Sequence, residues 1–168
     1  LLGFGNMAKK HRLLHEQTKQ TPTLVKNVDF KSLHMIYKFL TNLDKETRRT
    51  FHPPFIYPPH KSWSSFASYT RLLLSTLIPR HILLKTLPRL YCIAVFAKLH
   101  NAIQGYGYLT FKRLAKSLEA ELGMVVSRKF RRKGIGTLLL KTLIDEALRN
   151  DVTKITLTVS KENIPAIN

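Results

Sequence analysis

The sequence predicts an α/β fold in which helices lead into a sheet, and three observations carry that reading. From Leu90 onward, helical spacing gives way to apolar runs rich in aromatic and β-branched residues. Ile135, Leu139, Leu143 and Ala147 then trace one helical face. After that helix, Ile155, Leu157 and Val159 alternate with Thr156 and Thr158. The chain has 168 residues and is 44% apolar, which suits one domain with a single sizeable core.

Taken in order, residues 1–22 read as a basic, poorly ordered arm closed by Thr21-Pro22. Leu1 to Asn6 do not make a secretory signal, because Lys9, Lys10 and Arg12 follow the apolar residues rather than precede them, and Met7 offers an internal start. The domain is expected over residues 23–168. Thr23 to Val28 reads as a first strand. Asp29 reads as the cap of a helix whose stripe is Phe30, Leu33, Ile36, Tyr37 and Leu40. A second helix starts at Asp44 and ends before Pro53-Pro54. Residues 59–89 form a basic helical insert, with Trp63, Phe66, Leu73, Leu74 and Leu77 at helical spacing and a further short helix over Ile82 to Leu87. Such an insert either packs on its own domain or lies against an anionic membrane or a partner helix. Strands are then expected over Leu90–Lys98, Ile103–Phe111 and Glu119–Val126, with a turn at Asn101. A helix over Ile135–Ala147 ends at Asn150, and a last strand covers Lys154–Val159.

The charge is lopsided. Lys and Arg number 28 against 10 Asp and Glu, a formal net charge of +18. Residues 59–90 carry five basic side chains and no acidic one, and five of the six residues 128–133 are basic. A charge of this size favours polyanions and disfavours polycationic partners such as polyamines, while leaving the fold undetermined. It reads either as a solvated basic surface or as the mark of an RNA or acidic protein partner. The single cysteine, Cys92, excludes an internal disulfide and points to a reducing compartment, the cytoplasm, and no apolar stretch is long enough for a membrane helix.

The chemistry concentrates in Val125-Val126-Ser127-Arg128-Lys129-Phe130-Arg131-Arg132-Lys133-Gly134-Ile135-Gly136-Thr137, a strand, a basic loop and a helix opening on two glycines. A helix N-terminus presents unpaired N–H groups and a positive dipole end, and glycines let a phosphate approach the backbone. The pattern lacks the Gly-Lys-Ser/Thr ending of a P-loop and the three wider-spaced glycines of a dinucleotide fingerprint. It reads as a site for a pyrophosphate.

This segment resembles the acetyl-CoA motif of the GNAT (GCN5-related) N-acetyltransferases, Arg/Gln-x-x-Gly-x-Gly/Ala, with Arg131, Gly134 and Gly136 in the matching places. The likeness extends over residues 23–58 and 90–168 and includes Asn163 and Ala166 as an Asn-x-x-Ala pair. It implies a mixed, mostly antiparallel sheet flanked by helices. It also implies that Met124, Val125 and Val126 meet pantetheine, that Arg131, Arg132, Lys133, Gly134, Ile135, Gly136 and Thr137 hold the diphosphate, and that Asn163 touches the cofactor. Arg132 stands where the family usually has glycine. The family's tyrosine acid and two final strands, expected after Asn168, are absent from the sequence, so the chain is expected to behave poorly alone.

Acetyl transfer needs a base for the amine and a donor for the developing oxyanion. Glu121 and Glu119, two apart on one strand face, are the candidate bases, and the backbone at Met124 is the candidate donor. The histidines lack metal-ligand spacing, so no metal is expected; Cys92 and the alternating Tyr106 and Tyr108 read as core. The resulting expectation is an acetyl-CoA-dependent N-acetyltransferase acting on an amine by direct attack. The competing one is a non-catalytic basic module that binds RNA or an acidic protein.

Overall fold

The computed structural model describes residues 22–26, 30–51, 74–75 and 77–167. Residues 1–21 of the expected arm, the end of the expected first strand (27–28), the Asp29 cap, Pro53-Pro54 and residues 59–73 and 76 of the insert lie outside these residues. Five strands form one sheet in the order β1-β2-β3-β4-β5: β1 (Thr23–Val25), β2 (Cys92–Leu99), β3 (Ala102–Arg113), β4 (Leu118–Val126) and β5 (Lys154–Thr156). The first three pairings are antiparallel and the last, β4 with β5, is parallel. The helices are α1 (Phe30–Thr41), α2 (Lys45–Thr50), α3 (Arg80–Thr86), α4 (Ile135–Leu148) and the short α5 (Ile164–Ile167).

Burial follows from helices on both faces of the sheet. Residues 92–97 are buried without interruption, which explains why β2 reads as a continuous apolar run rather than an alternation. Ile93, Val95, Ala97, Leu109 and Phe111 pack with Ile135, Leu139, Leu143 and Ala147 of α4. On the opposite face Cys92, Ala94, Phe96, Tyr106 and Tyr108 pack with Leu33, Ile36 and Leu40 of α1. Gly105 and Gly107, both on the α4 side of β3, let that helix approach closely. A Cβ at Gly105 would stand 2.9 Å from Leu139 Cδ1, and one at Gly107 would stand 2.7 Å from Leu143 Cδ1. Leu139 and Leu143 are fully buried there, and truncating either to alanine costs about 2–5 kcal/mol.

Local chemistry fixes the connections. His100 and Asn101, with φ of 47° and 62°, turn β2 into β3 as a two-residue hairpin loop. Asp44 caps α2 as its position predicts: Oδ1 accepts from the Thr47 N–H at 2.9 Å, and Oδ2 accepts from the Thr47 hydroxyl at 2.7 Å.

Two expected strands are shorter than their sequence patterns. The first is a strand over Thr23–Val25 and has left the sheet at Lys26, residues 27–28 lying outside the described residues. The last was expected over Lys154–Val159 but pairs only over Lys154–Thr156, and Leu157 is 57% exposed. Alternation at Ile155, Leu157 and Val159 marks an extended chain with two faces; it does not say whether a neighbour lies alongside. Among the described residues no helix is long and apolar enough to cross a membrane.

Candidate active site

The site forms where β5 leaves β4. The last paired residues are Glu121 and Thr156, yet β4 continues to Val126. Ser127 N–H bonds Gln104 O on the β3 side, and Thr153 N–H bonds Leu118 O on the β5 side. Residues of one parity therefore direct their backbone toward β3 and the others toward β5. By that alternation the N–H and C=O of Met124, and the C=O of Leu122, face the opening with no strand beside them among the described residues. The Met124 side chain is exposed and Val126 is half-buried, both on the α4 face, whereas Val125 is buried on the α1 face.

The basic loop follows directly. Ser127 leads into a 3-10 turn over Arg128–Phe130, Arg131 is extended, and Arg132 takes φ of 60°. This left-handed angle is the setting in which glycine is at ease and an L side chain costs about 1 kcal/mol, so Arg132 replaces a glycine at a position where the backbone favours one. Gly134, with φ of 77°, precedes α4 in the same left-handed region. Ile135 is buried and anchors the helix, while Gly136 and Thr137 follow toward solvent. The N–H groups of the first helical turn have no intrahelical partner, and that turn carries no acidic residue. A Cβ on Gly136 would lie 3.8 Å from Val126 Cγ2 and 3.9 Å from Met124 Cε, so glycine keeps open the corner between β4 and the helix start.

The cations of the loop divide by what they touch. Arg128 is paired with Glu46 at 3.3 Å. Arg131 turns inward: its Nε donates to Val126 O at 3.2 Å and its Nη2 donates to Thr47 Oγ1 at 2.6 Å. Thr47 is buried and passes the contact on to Asp44. The Asp44 carboxyl is held below the usual aspartate range, chiefly by the Thr47 hydroxyl and N–H and also by Arg131. Arg131 thus ties the loop to β4 and α2 through its side chain, a role invisible in the motif. Lys129, Arg132 and Lys133 carry no carboxylate partner among the described residues, and Lys133 Nζ lies 5.6 Å from the Phe130 ring.

The two glutamates share a strand face but differ in company. Glu119 pairs with Lys154 at 3.6 Å. Glu121 is exposed and without an ion pair among the described residues. It neighbours Tyr108, whose ring lies across Gly123: a Cβ there would fall 2.3 Å from the tyrosine Cζ. Burial first, then the Glu121 carboxylate, pushes the Tyr108 hydroxyl well above the ordinary tyrosine range. Asn163 is half-buried just before α5, and its neighbour Glu162 reaches Arg49 of α2 at 3.2 Å. α2 therefore meets both the basic loop and the segment after β5. Thr47 and Asp44 are the residues sequence reasoning missed as part of this site; the Asp-x-x-Thr cap at the start of α2 was the available signal.

Comparison with known proteins agrees with this architecture. The sequence model of the Acetyltransferase (GNAT) family matches residues 45–168. Among solved structures, a predicted acetyltransferase with acetyl-CoA from Clostridium acetobutylicum is 17% identical with a TM-score of 0.58, covering 85% of this chain and 84% of that one. Glucosamine-6-phosphate N-acetyltransferase from Arabidopsis thaliana is 13% identical with a TM-score of 0.56, covering 88% of each chain. A ribosomal-protein-alanine N-acetyltransferase from Brucella melitensis biovar Abortus 2308 is 12% identical with a TM-score of 0.55, covering 88% and 86%. At such identities the likeness speaks for the fold. The family match spans most of the chain and carries the assignment: the protein belongs to the GNAT family of acetyltransferases.

Proposed function

We propose that the chain transfers an acetyl group from acetyl-CoA to a primary amine by direct attack. The observation that carries this reading is the opening at Met124, an unpartnered strand edge lying beside a glycine-flanked helix start. The two features fit the two halves of the donor. Pantetheine is a chain of amides, able to complete the free β4 edge at Leu122 and Met124. The diphosphate suits the N–H groups of Gly134, Ile135, Gly136 and Thr137, with Lys129, Arg132 and Lys133 supplying charge.

In this reading the amine nitrogen attacks the thioester carbonyl carbon, the C–S bond breaks, and the acetyl group remains on nitrogen. The Met124 N–H faces the opening as donor to the oxygen on which negative charge develops. Glu121, unpaired at the mouth of the opening, takes the proton lost by the amine; Glu119, engaged by Lys154, balances charge. Cys92 is buried in the core, which agrees with direct transfer rather than an acyl-cysteine route. The free cations on the loop also leave room for contact with acidic partners.

The test is acetyl-CoA-dependent thermal stabilisation, followed by thiol release with a panel of amines: a peptide with a free N-terminus, a lysine peptide, an aminoglycoside and a polyamine. Saturating acetyl-CoA is expected to raise the melting temperature, since a ligand of the native state stabilises it. Glu121→Gln is expected to lower kcat about 100-fold with acetyl-CoA affinity intact. A folded protein whose melting temperature ignores saturating acetyl-CoA contradicts the assignment.

A further inference from the structure

The opposite end of β4 carries a second concentration of charge that acetyl transfer does not use. There α3, the β3–β4 turn and the α4–β5 link line a cavity of about 410 Å³ that is widely open to solvent. Arg80 and His81 come from the start of α3, Arg113 from the end of β3, and Lys116 from the turn. Arg80 Nη2 donates to Arg149 O at 2.7 Å, and Arg113 Nη2 donates to Leu84 O at 3.2 Å. Each guanidinium is held in place by a carbonyl and keeps N–H groups to spare. Among the described residues neither arginine nor Lys116 has a carboxylate within ion-pair distance, and Asp151 is the single acidic residue in the cavity wall.

Asn150 contributes an uncharged residue to the wall. Asn150 is 5% exposed, and its Nδ2 donates to Glu146 O. That bond fixes the amide orientation, because turning it over would set oxygen against oxygen. Its Oδ1 is left buried with no donor among the described residues. What the cavity offers a ligand is therefore its cationic donors, because the Asn150 Oδ1 is closed off from any water-sized group.

We propose that this cavity binds a small phosphate monoester, for which ribose 5-phosphate serves as the probe. A monoester dianion presents several oxygens to Arg80, Arg113 and Lys116, which a carboxylate of single charge does not. The volume is on the scale of a small-ligand pocket rather than of a track along a polymer. Leu118 in its wall and Met124 at the opening are six residues apart on one strand, roughly 20 Å, so the two ligands do not compete. This site gives Arg80 and His81 of the insert a task that the acetyl-transfer reading does not.

The experiment is calorimetric titration of ribose 5-phosphate into the intact protein, with and without saturating acetyl-CoA, using ribose as control. Saturable binding at one site is expected in both conditions, with no heat from ribose. Lys116→Gln combined with His81→Gln, at two exposed positions, is expected to weaken it about tenfold. Arg113→Gln should weaken it further but also removes the tie to Leu84, so the Lys116 and His81 variant is the deciding one. Absence of saturable binding up to about 10 mM overturns the proposal, as does binding indifferent to those substitutions. An oligoribonucleotide that binds there while ribose 5-phosphate does not also overturns it. The arm without acetyl-CoA keeps the result independent of whether the chain is an active transferase.

Discussion

The two halves of β4 share one neighbour, β3, and differ on their other edge. From Leu118 to Glu121 the strand is paired on both sides and alternates cleanly, with Leu118 and Ala120 buried and Glu119 and Glu121 turned the other way. From Leu122 to Val126 β3 is the one strand alongside among the described residues, and the second edge faces the start of α4. An unpaired strand edge normally invites another strand. Here it lies beside a helix start with unpaired N–H groups, so both unsatisfied features can be met by one extended, phosphate-bearing ligand. The closed half of β4 supplies rigidity and the open half supplies the site.

The strongest way to break this contrast is to spoil the helix start. Gly134→Val forces a β-branched residue into the left-handed region at φ of 77°. It is expected to abolish the acetyl-CoA-dependent rise in melting temperature, while costing about 1–2 kcal/mol of stability, measured by denaturant unfolding of the free protein. A retained rise would show that the loop conformation is immaterial to binding.

A subtler change targets what holds the loop. Thr47→Val keeps the shape of a buried residue but removes the oxygen that accepts from Arg131 and donates to Asp44. Acetyl-CoA affinity, read by calorimetry, is expected to fall about fivefold, close to 1 kcal/mol, although Thr47 is assigned no contact with the ligand. Thr47→Ser retains the hydroxyl and is expected to restore the affinity. Equal loss in both variants would make the residue a matter of packing alone.

The smallest effect is a gain. Arg132→Gly relieves the left-handed backbone at φ of 60° and is expected to stabilise the free protein by up to about 1 kcal/mol in denaturant unfolding, offset by the greater freedom of glycine in the unfolded chain. It also removes one cation from the loop, so acetyl-CoA affinity should weaken slightly at low salt. Lower stability would place the strain elsewhere.

Much of this was legible in the residues because the responsible forces are local. Helical spacing over Ile135–Ala147, the cap at Asp44 and the turn at Asn101 each depend on a few neighbouring side chains, and each appears where expected. Gly134 and Gly136 marked the helix start for the same reason. What the sequence concealed was pairwise and distant. Nothing in Leu157-Thr158-Val159 reveals that β5 parts from β4 after Thr156, because alternation is the same with or without a neighbour. Nothing in the Arg-x-x-Gly-x-Gly spacing reveals that the Arg131 guanidinium turns toward Thr47, 84 residues earlier. Likewise the company of Glu119 and Glu121 is set by Lys154 and Tyr108, not by their own spacing.

The central claim is that the open half of β4 and the first turn of α4 form one acetyl-CoA site. The most direct measurement is a ¹H–¹⁵N correlation spectrum of the protein titrated with acetyl-CoA. Saturable shifts are predicted at the amides of Met124, Gly134, Ile135, Gly136 and Thr137, with those of Leu118 to Ala120 unmoved. Shifts confined to the closed half, or none at saturation, would contradict the account.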